Sequence, residues 1–190
     1  MSDPMRPRLI EVEAAAVATP LGHYGAVSVA FESYHAELYN FLRRSTRDEG
    51  AAEDLLQEAY LRLTREVEAG RTPEHVRGWL YRVASNLAIS RARRRTSAFE
   101  WLGRYGRHSI GDDVDSPEAG VLARERTSAI DAVLATLPAE ARTALLLSAD
   151  GFSGEEIAAA IGRSHGATRT LLSRTRVRVR HELEAGGDVR

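Results

Sequence analysis

Hydrophobic residues recur at helical spacing along nearly the whole chain, and the apolar–polar alternation of β-strands is almost absent. The clearest case is Val76, Leu80, Val83 and Leu87, whose spacing of three or four residues places them on one face of a helix. This pattern predicts an all-α fold. Helices are expected over about 27–44, 50–68 and 76–94, with a helical C-terminal unit over 128–184.

Glycine and proline interrupt the pattern near the N terminus and again between residues 96 and 127. A connector of that length predicts two domains or a functional linker. We therefore expect two small helical domains joined by a flexible, acidic linker. The predicted segments are an N-terminal extension over 1–25, a first domain over 26–95, the linker over 96–127, a second domain over 128–184 and a tail over 185–190.

Composition argues against several kinds of chemistry. The 190 residues include no cysteine, so the chain has no disulfide and no thiolate metal site. Its six histidines lack metal-ligand spacing, and neither a nucleophile motif nor a glycine-rich phosphate loop is present. We expect no catalytic activity, no metal and no cofactor. Because no secretory signal and no apolar run of membrane-spanning length is found, we also expect a cytoplasmic protein without membrane insertion.

Charge is strongly segregated, although the formal net charge is only −1. Residues 71–107 contain nine arginines and two acidic residues, and residues 157–181 contain six arginines and no acidic residue. Between these blocks, residues 108–126 contain five acidic residues and two arginines. Two basic blocks on either side of an acidic connector predict a polyanion contacted at two places.

The first basic block falls on the third predicted helix. Arginine, asparagine and serine side chains on one exposed stripe can bond phosphates and also reach base edges. The alternative is a solvated helix end where the helix dipole favours cations, but four arginines in five positions exceed that effect. The predicted stripe comprises Arg82, Ser85, Asn86, Ile89 and Arg93, and Arg91, Arg94 and Arg95 widen its charge at the helix end.

The second predicted helix has a different outer face. Its buried side would consist of Ala52, Leu55, Leu56, Ala59, Tyr60 and Leu63. An exposed leucine in the middle of an acidic, polar stripe indicates a protein contact. An ordinary surface with one stray leucine explains these residues equally well. The outer residues are Asp54, Gln57, Glu58, Leu61 and Arg65.

The C-terminal unit carries the most specific local pattern. Ser153 and Glu156 fit a capping box for a short helix over 154–161, Gly162 would end that helix, and Ser164 can cap the next. A short helix, a glycine turn and a basic second helix are typical of a helix-turn-helix unit; a plain helical hairpin is the alternative. The second helix is expected to bury Thr168, Leu171 or Leu172, Thr175 and Val179, and to expose Arg163, His165, Arg169, Ser173, Arg174 and Arg176.

Three stretches of the chain resemble one known family, the extracytoplasmic-function (ECF) group of bacterial sigma factors. "AAEDLLQEAYLRL" is similar to the family's "DAEDLVQETFLRA", and "RGWLYRVASNLAISRARRR" is similar to its "RAWLYRIARNLAIDHLRRR". "LPAEARTALLLSADGFSGEEIAAAIGRSHGATRTLLSRTR" is similar to the family's fourth conserved region. The resemblance covers about residues 30–95 and 128–183, with the motifs in the family's order.

The resemblance implies a subunit that directs core RNA polymerase to promoters. Asp54, Gln57, Glu58 and Leu61 would dock on the clamp helices of the largest polymerase subunit, and the flap is a further implied contact. The helix-turn-helix would bind minus-thirty-five duplex through its exposed residues. The loop 70–75 and the third helix would hold the melted minus-ten strand through Trp79, Arg82, Asn86, Arg91, Arg93, Arg94 and Arg95.

Family members are usually held inactive by an anti-sigma factor, so the resemblance implies such a partner as well. One departure concerns the recognition helix, where a frequent family arginine is replaced by Leu171, so promoter preference cannot be copied from relatives. A stand-alone helix-turn-helix repressor is the rival interpretation. The two-part charge layout and the exposed stripe around Leu61 argue against it.

Overall fold

A computed structural model describes residues 20–105 and 130–187, with side chains described over 25–97 and 130–185. Within those residues every regular element is an α-helix, which confirms the all-α prediction. The helices are α1 (Pro20–Thr46), α2 (Glu49–Glu68), α3 (Val76–Tyr105), α4 (the helical residues 130–136), α5 (Ala139–Ala149), α6 (Gly154–Ile161) and α7 (His165–Gly187).

Two helices are longer than the sequence pattern predicts. Helix α1 begins at Pro20 rather than near residue 27, and a proline suits a first helical position because its missing N–H needs no partner there. Helix α3 continues to Tyr105 rather than ending near 94, so residues 96–105 of the expected linker are helical. The rest of that linker, and the extension before residue 20, lie outside the described residues.

A tight turn makes α1 and α2 neighbours. Arg47 adopts a left-handed backbone (φ 59°), and Asp48 caps α2 by accepting a hydrogen bond from the Ala51 amide at 2.8 Å. The first unit then packs α1, α2 and α3 around fully buried leucines. Leu38, Leu42 and Leu80 are 0% exposed, so this unit has a dry apolar centre.

The second unit is built from α5, α6 and α7, which contact one another in pairs. Leu147, Ile157 and Leu172 supply its apolar centre. Pro138 precedes α5 as its N-cap residue. This small unit therefore presents α6 and α7 on a fixed support.

The two units are in direct contact. Helix α3 packs against α5 and α6 as well as against α1 and α2. Tyr81 of α3 lies between Phe41 of α1 and Phe152 of the α5–α6 turn, with ring centroids 5.1 Å and 4.8 Å away. The buried residues of both units consequently form one continuous core.

Candidate nucleic-acid and polymerase interfaces

Helix α3 presents its basic stripe as predicted, but the stripe is narrower than the pattern indicates. Arg82 and Asn86 are exposed. Ser85 and Ile89, which were expected beside them, are only 0% and 4% exposed. The expectation was wrong for these two residues because α3 is packed against four other helices, which cover more than one of its faces. Trp79, at the start of the stripe, is half-buried.

The arginines at the end of the stripe differ in their environment. A guanidinium nitrogen of Arg91 lies 3.5 Å from an Asp48 carboxylate oxygen, and one of Arg93 lies 3.8 Å from a Glu140 oxygen. Arg94 and Arg95 are exposed and form no ion pair within the described residues. Arg94 and Arg95 can therefore bind a phosphate backbone directly. Arg91 and Arg93 can do so only after they release their carboxylate partners.

The loop between α2 and α3 holds a polar group that sequence reasoning missed. Gly70 takes a left-handed backbone (φ 71°), and Arg71 donates two hydrogen bonds to Glu66, at 2.9 and 3.1 Å. The hydrogen bonds from Arg71 lower the pKa of the Glu66 carboxyl. The hydroxyl of the next residue, Thr72, is buried and has no hydrogen-bond partner among the described residues. Nothing in the sequence singles out Thr72, since its burial depends on the fold of the loop.

Helix α2 shows the two faces that its sequence predicts. All six residues expected on its inner side are buried. On the outer side Asp54 and Gln57 are exposed, and Leu61 is 52% exposed. Glu58 accepts a hydrogen bond from Arg62 at 2.7 Å, within the helix. Asp54, Gln57, Glu58 and Leu61 therefore share one water-facing surface with an apolar centre and an acidic surround.

The helix-turn-helix has the predicted local signals. The Ser153 hydroxyl accepts from the Glu156 amide at 3.3 Å, and the Glu156 carboxylate accepts from the Ser153 amide at 2.8 Å. Gly162 ends α6 in the left-handed region (φ 69°), and Ser164 caps α7 by accepting from the Ala167 amide at 3.3 Å. These contacts fix the turn between α6 and α7.

The outer face of α7 carries the predicted side chains. Thr168, Leu172 and Thr175 are buried, Leu171 and Val179 half-buried, so the helix turns its basic side outward. Arg163 forms an ion pair with Glu140 of α5, and Arg176 donates to the Ser148 hydroxyl at 2.7 Å. The exposed residues are Arg163, His165, Arg169, Ser173, Arg174 and Arg176.

A close approach between α6 and α7 was not predicted. A Cβ atom on Gly154 would lie 2.8 Å from Nε2 of His165, closer than real Cβ contacts allow. Gly154 therefore makes room for the His165 side chain at the start of α7.

An exposed basic helix after a capped short helix defines a helix-turn-helix protein, and comparison with known proteins agrees. The model of sigma-70 region 2 matches residues 30–98, and that of sigma-70 region 4 matches residues 127–179. The chain belongs to the sigma-70 family of RNA polymerase sigma factors, within its ECF group.

Two curated relatives and one solved structure illustrate the similarity. The chain is 32% identical over 158 residues to the ECF sigma factor SigE of Mycolicibacterium smegmatis, a match that covers 78% of this chain and 58% of that protein. It is 31% identical over 144 residues to SigL of Mycobacterium tuberculosis, covering 75% of this chain and 80% of that protein. The fold matches RpoE from Bartonella quintana, solved in complex with the anti-sigma factor NepR, at a TM-score of 0.62 and 22% identity, covering 85% of this chain and 96% of that one.

Two further findings concern the described residues alone. No helix within 20–105 or 130–187 is both long and apolar enough to cross a membrane. In the same ranges, no group of three or more histidine, aspartate or glutamate side chains is arranged to hold a metal ion.

Proposed function

We propose that this protein is an ECF sigma factor that directs core RNA polymerase to specific promoters and promotes DNA melting for transcription initiation. The observation that carries the proposal is the match to both sigma-70 regions, in family order, with an exposed basic face in each. The protein acts by binding, and the polymerase carries the catalysis. Such a factor works in the cytoplasm, where bacterial promoters are transcribed.

The first domain, over 26–95, contacts the polymerase through α2. The exposed leucine among carboxylates suits a docking site with an apolar centre and a charged rim. The residues assigned to this contact are Asp54, Gln57, Glu58 and Leu61, all on the outer side of α2.

The same domain binds the melted minus-ten strand along α3 and the loop before it. Arginines follow a flexible single-stranded backbone, and an unstacked base needs a pocket with polar groups to read it. The assigned residues on α3 are Trp79, Arg82, Asn86, Arg91, Arg93, Arg94 and Arg95.

The second domain, over 128–184, reads minus-thirty-five duplex with α7. The helix that follows the turn of such a unit enters the major groove, where each base pair presents a distinct set of donors and acceptors. The assigned residues are Arg163, His165, Arg169, Ser173, Arg174 and Arg176, all exposed in the free protein. Leu171 is half-buried.

An anti-sigma factor is the expected regulatory partner. The RpoE protein that shares this fold was solved with one. The same exposed surfaces on α2, α3 and α7 would be its targets, since covering them blocks polymerase and promoter together.

Transcription from a promoter library with purified core polymerase, with and without this protein, tests the proposal. We expect initiation at selected promoter sequences only when core polymerase and this protein are both present. A stand-alone repressor would bind duplex but give no initiation with core polymerase, and would lower transcription by a competent holoenzyme instead. That second outcome would replace the sigma-factor assignment with the repressor one.

A further inference from the structure

Gly154 is the first residue of α6, and its backbone gives no reason for a glycine at this position. Gly151, before the helix, and Gly162, at its end, take left-handed conformations (φ 84° and 69°) that favour glycine. Gly154 does not, and it lies in a helix, where alanine is the better helix former. The reason for a glycine here must therefore be found in its surroundings.

The space beside Gly154 is occupied by the imidazole ring of His165, the first residue of α7. A Cβ atom on Gly154 would lie 2.8 Å from Nε2 and 3.2 Å from Cδ2 of that ring. The situation differs at Gly50, the second residue of α2, where a Cβ atom would lie an ordinary 3.7 Å from an Asp48 oxygen. The absence of a side chain on Gly154 thus allows the ring to lie where it does.

The contact with Gly154 also determines which side of the ring remains available. The Nε2–Cδ2 edge faces α6, so the opposite side of the ring, with its second nitrogen, is turned away from that helix. His165 is exposed, and no hydrogen bond of its side chain is found within the residues that the structure describes. The ring therefore has unused hydrogen-bonding capacity on its free side.

The backbone on both sides of this contact is fixed by side-chain caps. Helix α6 begins at the capping box of Ser153 and Glu156, and α7 begins at Ser164, whose hydroxyl accepts from the Ala167 amide at 3.3 Å. An atom added between two capped helix starts should therefore displace the movable group, which is the end of the His165 side chain. Rotation of a side chain to another rotamer leaves the helices in place.

His165 lies at the part of α7 that would read a DNA sequence. In a helix-turn-helix, the N-terminal residues of the second helix contact base edges in the major groove. His165 and Arg169 are one helical turn apart and both exposed, so they share one face of α7. An imidazole nitrogen can form a hydrogen bond with N7, an acceptor that only purines present in that groove.

We propose that Gly154 is a positioning residue for base selection, because the room it leaves holds the His165 ring where it selects a purine at one base pair of the minus-thirty-five element. The inference rests on the proposed function. It makes the sequence preference a property of the pair, so that α6 influences the choice of base without contacting that base.

Selection from a promoter library with a randomised minus-thirty-five element tests this role, using the full chain and core polymerase. Gly154→Ala should lower the preference for the selected purine at one base pair about threefold to tenfold and leave the other pairs unchanged. His165→Ala should change the same pair. The thermal midpoint of Gly154→Ala should change little, since the ring can rotate and alanine suits a helix. Gly50→Ala is the matched control, a glycine near a helix start without the close contact.

The double variant Gly154→Ala with His165→Ala distinguishes positioning from a general effect on the helix-turn-helix. Once the ring is removed, a methyl group on residue 154 displaces nothing, so the double variant should have the same preferences as His165→Ala alone. If Gly154→Ala has the same effect in both backgrounds, the proposal is overturned, because the effect would then come from α6 itself. A loss that is uniform across all base pairs would also overturn it, since that result indicates a phosphate contact.

The outcomes separate this role from the sigma-factor assignment. If the unmodified protein gives no promoter-specific transcription with core polymerase, the proposed function fails and the inference falls with it. If the unmodified protein selects a minus-thirty-five sequence and Gly154→Ala selects the same one with equal preference, only the positioning role fails. That conclusion holds whether or not His165→Ala changes the preference.

Discussion

The exposed arginines of the two basic surfaces are held in different ways in the free protein. Arg163 and Arg176 have partners in their own domain, Glu140 and the Ser148 hydroxyl. Arg82, Arg169 and Arg174 form neither an ion pair nor a side-chain hydrogen bond within the described residues. A paired arginine must give up its partner before it binds a phosphate or a base. The unpaired arginines should therefore contribute most to DNA affinity.

In α7, the variant Arg169→Ala should therefore weaken duplex binding. We expect a loss of about 1–3 kcal/mol in affinity for upstream duplex if Arg169 contacts a base edge, and a lower salt slope if it contacts a phosphate. Titration of labelled duplex at several salt concentrations distinguishes a contact with a base edge from a contact with a phosphate. Arg178→Ala is the control, because Arg178 is paired with Glu182 on the same helix at 2.7 Å. An Arg169→Ala defect in strand opening, with duplex binding intact, would contradict the assignment.

On α3, the variants Arg82→Ala and Asn86→Ala should affect strand opening, a step that follows the binding of duplex DNA. Both side chains are exposed on the stripe assigned to single-stranded DNA, so closed-complex binding should be retained while strand opening is impaired. Permanganate footprinting measures opening directly. A promoter that is already melted across the minus-ten element should restore part of the activity. Absence of rescue on that template would argue that these residues act before melting.

The solvent exposure of individual side chains was the property that the sequence predicted least completely. The positions of Arg82 and Asn86 follow from the period of the helix alone. Ser85 and Ile89 were misassigned, because helical period defines one buried face and a helix packed against several others has more than one. The burial of Thr72 depends on how the loop folds, which no local pattern encodes.

At the scale of single helices, α2 combines two surfaces with opposite requirements. Its inner side is an apolar stripe, from Ala52 to Leu63, that anchors it against the first domain. Its outer side can carry a leucine among carboxylates because, in the part of the chain that the structure describes, no other helix covers that side. A change on the outer side should therefore alter binding without altering the fold.

The variant Leu61→Asp tests this separation. Because Leu61 is 52% exposed, an aspartate there loses little buried apolar area, and the thermal midpoint should change little. Co-purification with core polymerase should be strongly reduced, since the apolar centre of the docking face is replaced by a charge. Val29→Asp, at an α1 residue that is 41% exposed, is the matched control. Equal co-purification of both variants would remove α2 from the polymerase contact.

The helix ends that have side-chain caps were predictable from the sequence, whereas the other helix ends were not. The capping box and Gly162 gave α6 its observed limits because serine, glutamate and glycine at those positions have a local physical role. Helix α3 passes through Gly103 to Tyr105, since one glycine in a helix costs only about 1 kcal/mol and neighbouring residues can offset it. Pro20 likewise begins α1 instead of marking irregular chain.

For the molecule as a whole, the contact between the domains is the feature that sequence reasoning did not predict. The hydroxyls of Ser45 and Thr143 lie 2.8 Å apart across this contact, although sequence order places the two residues far apart and nothing in their local pattern pairs them. The contact depends on complementary surfaces of α1, α3, α5 and α6, which no local sequence pattern encodes. Both domains and their order, in contrast, follow from motifs that are local in sequence.

The shared core predicts how the two domains unfold. Phe152 joins the domains through its ring contact with Tyr81 at 4.8 Å, so Phe152→Ala should weaken the interface by about 1–3 kcal/mol and leave most of each domain's own core in place. We expect calorimetry to show one cooperative transition for the unmodified protein and a broadened or divided transition for this variant, because domains that stabilise each other less unfold less cooperatively.

The matched control is Phe31→Ala, which removes a ring 5.1 Å from Tyr60 inside the first domain. Phe31 is 46% exposed and does not link the domains, so its loss should lower the temperature of the transition without dividing it. Two transitions in the unmodified protein, or a divided transition in both variants, would mean that the domains are not thermodynamically coupled.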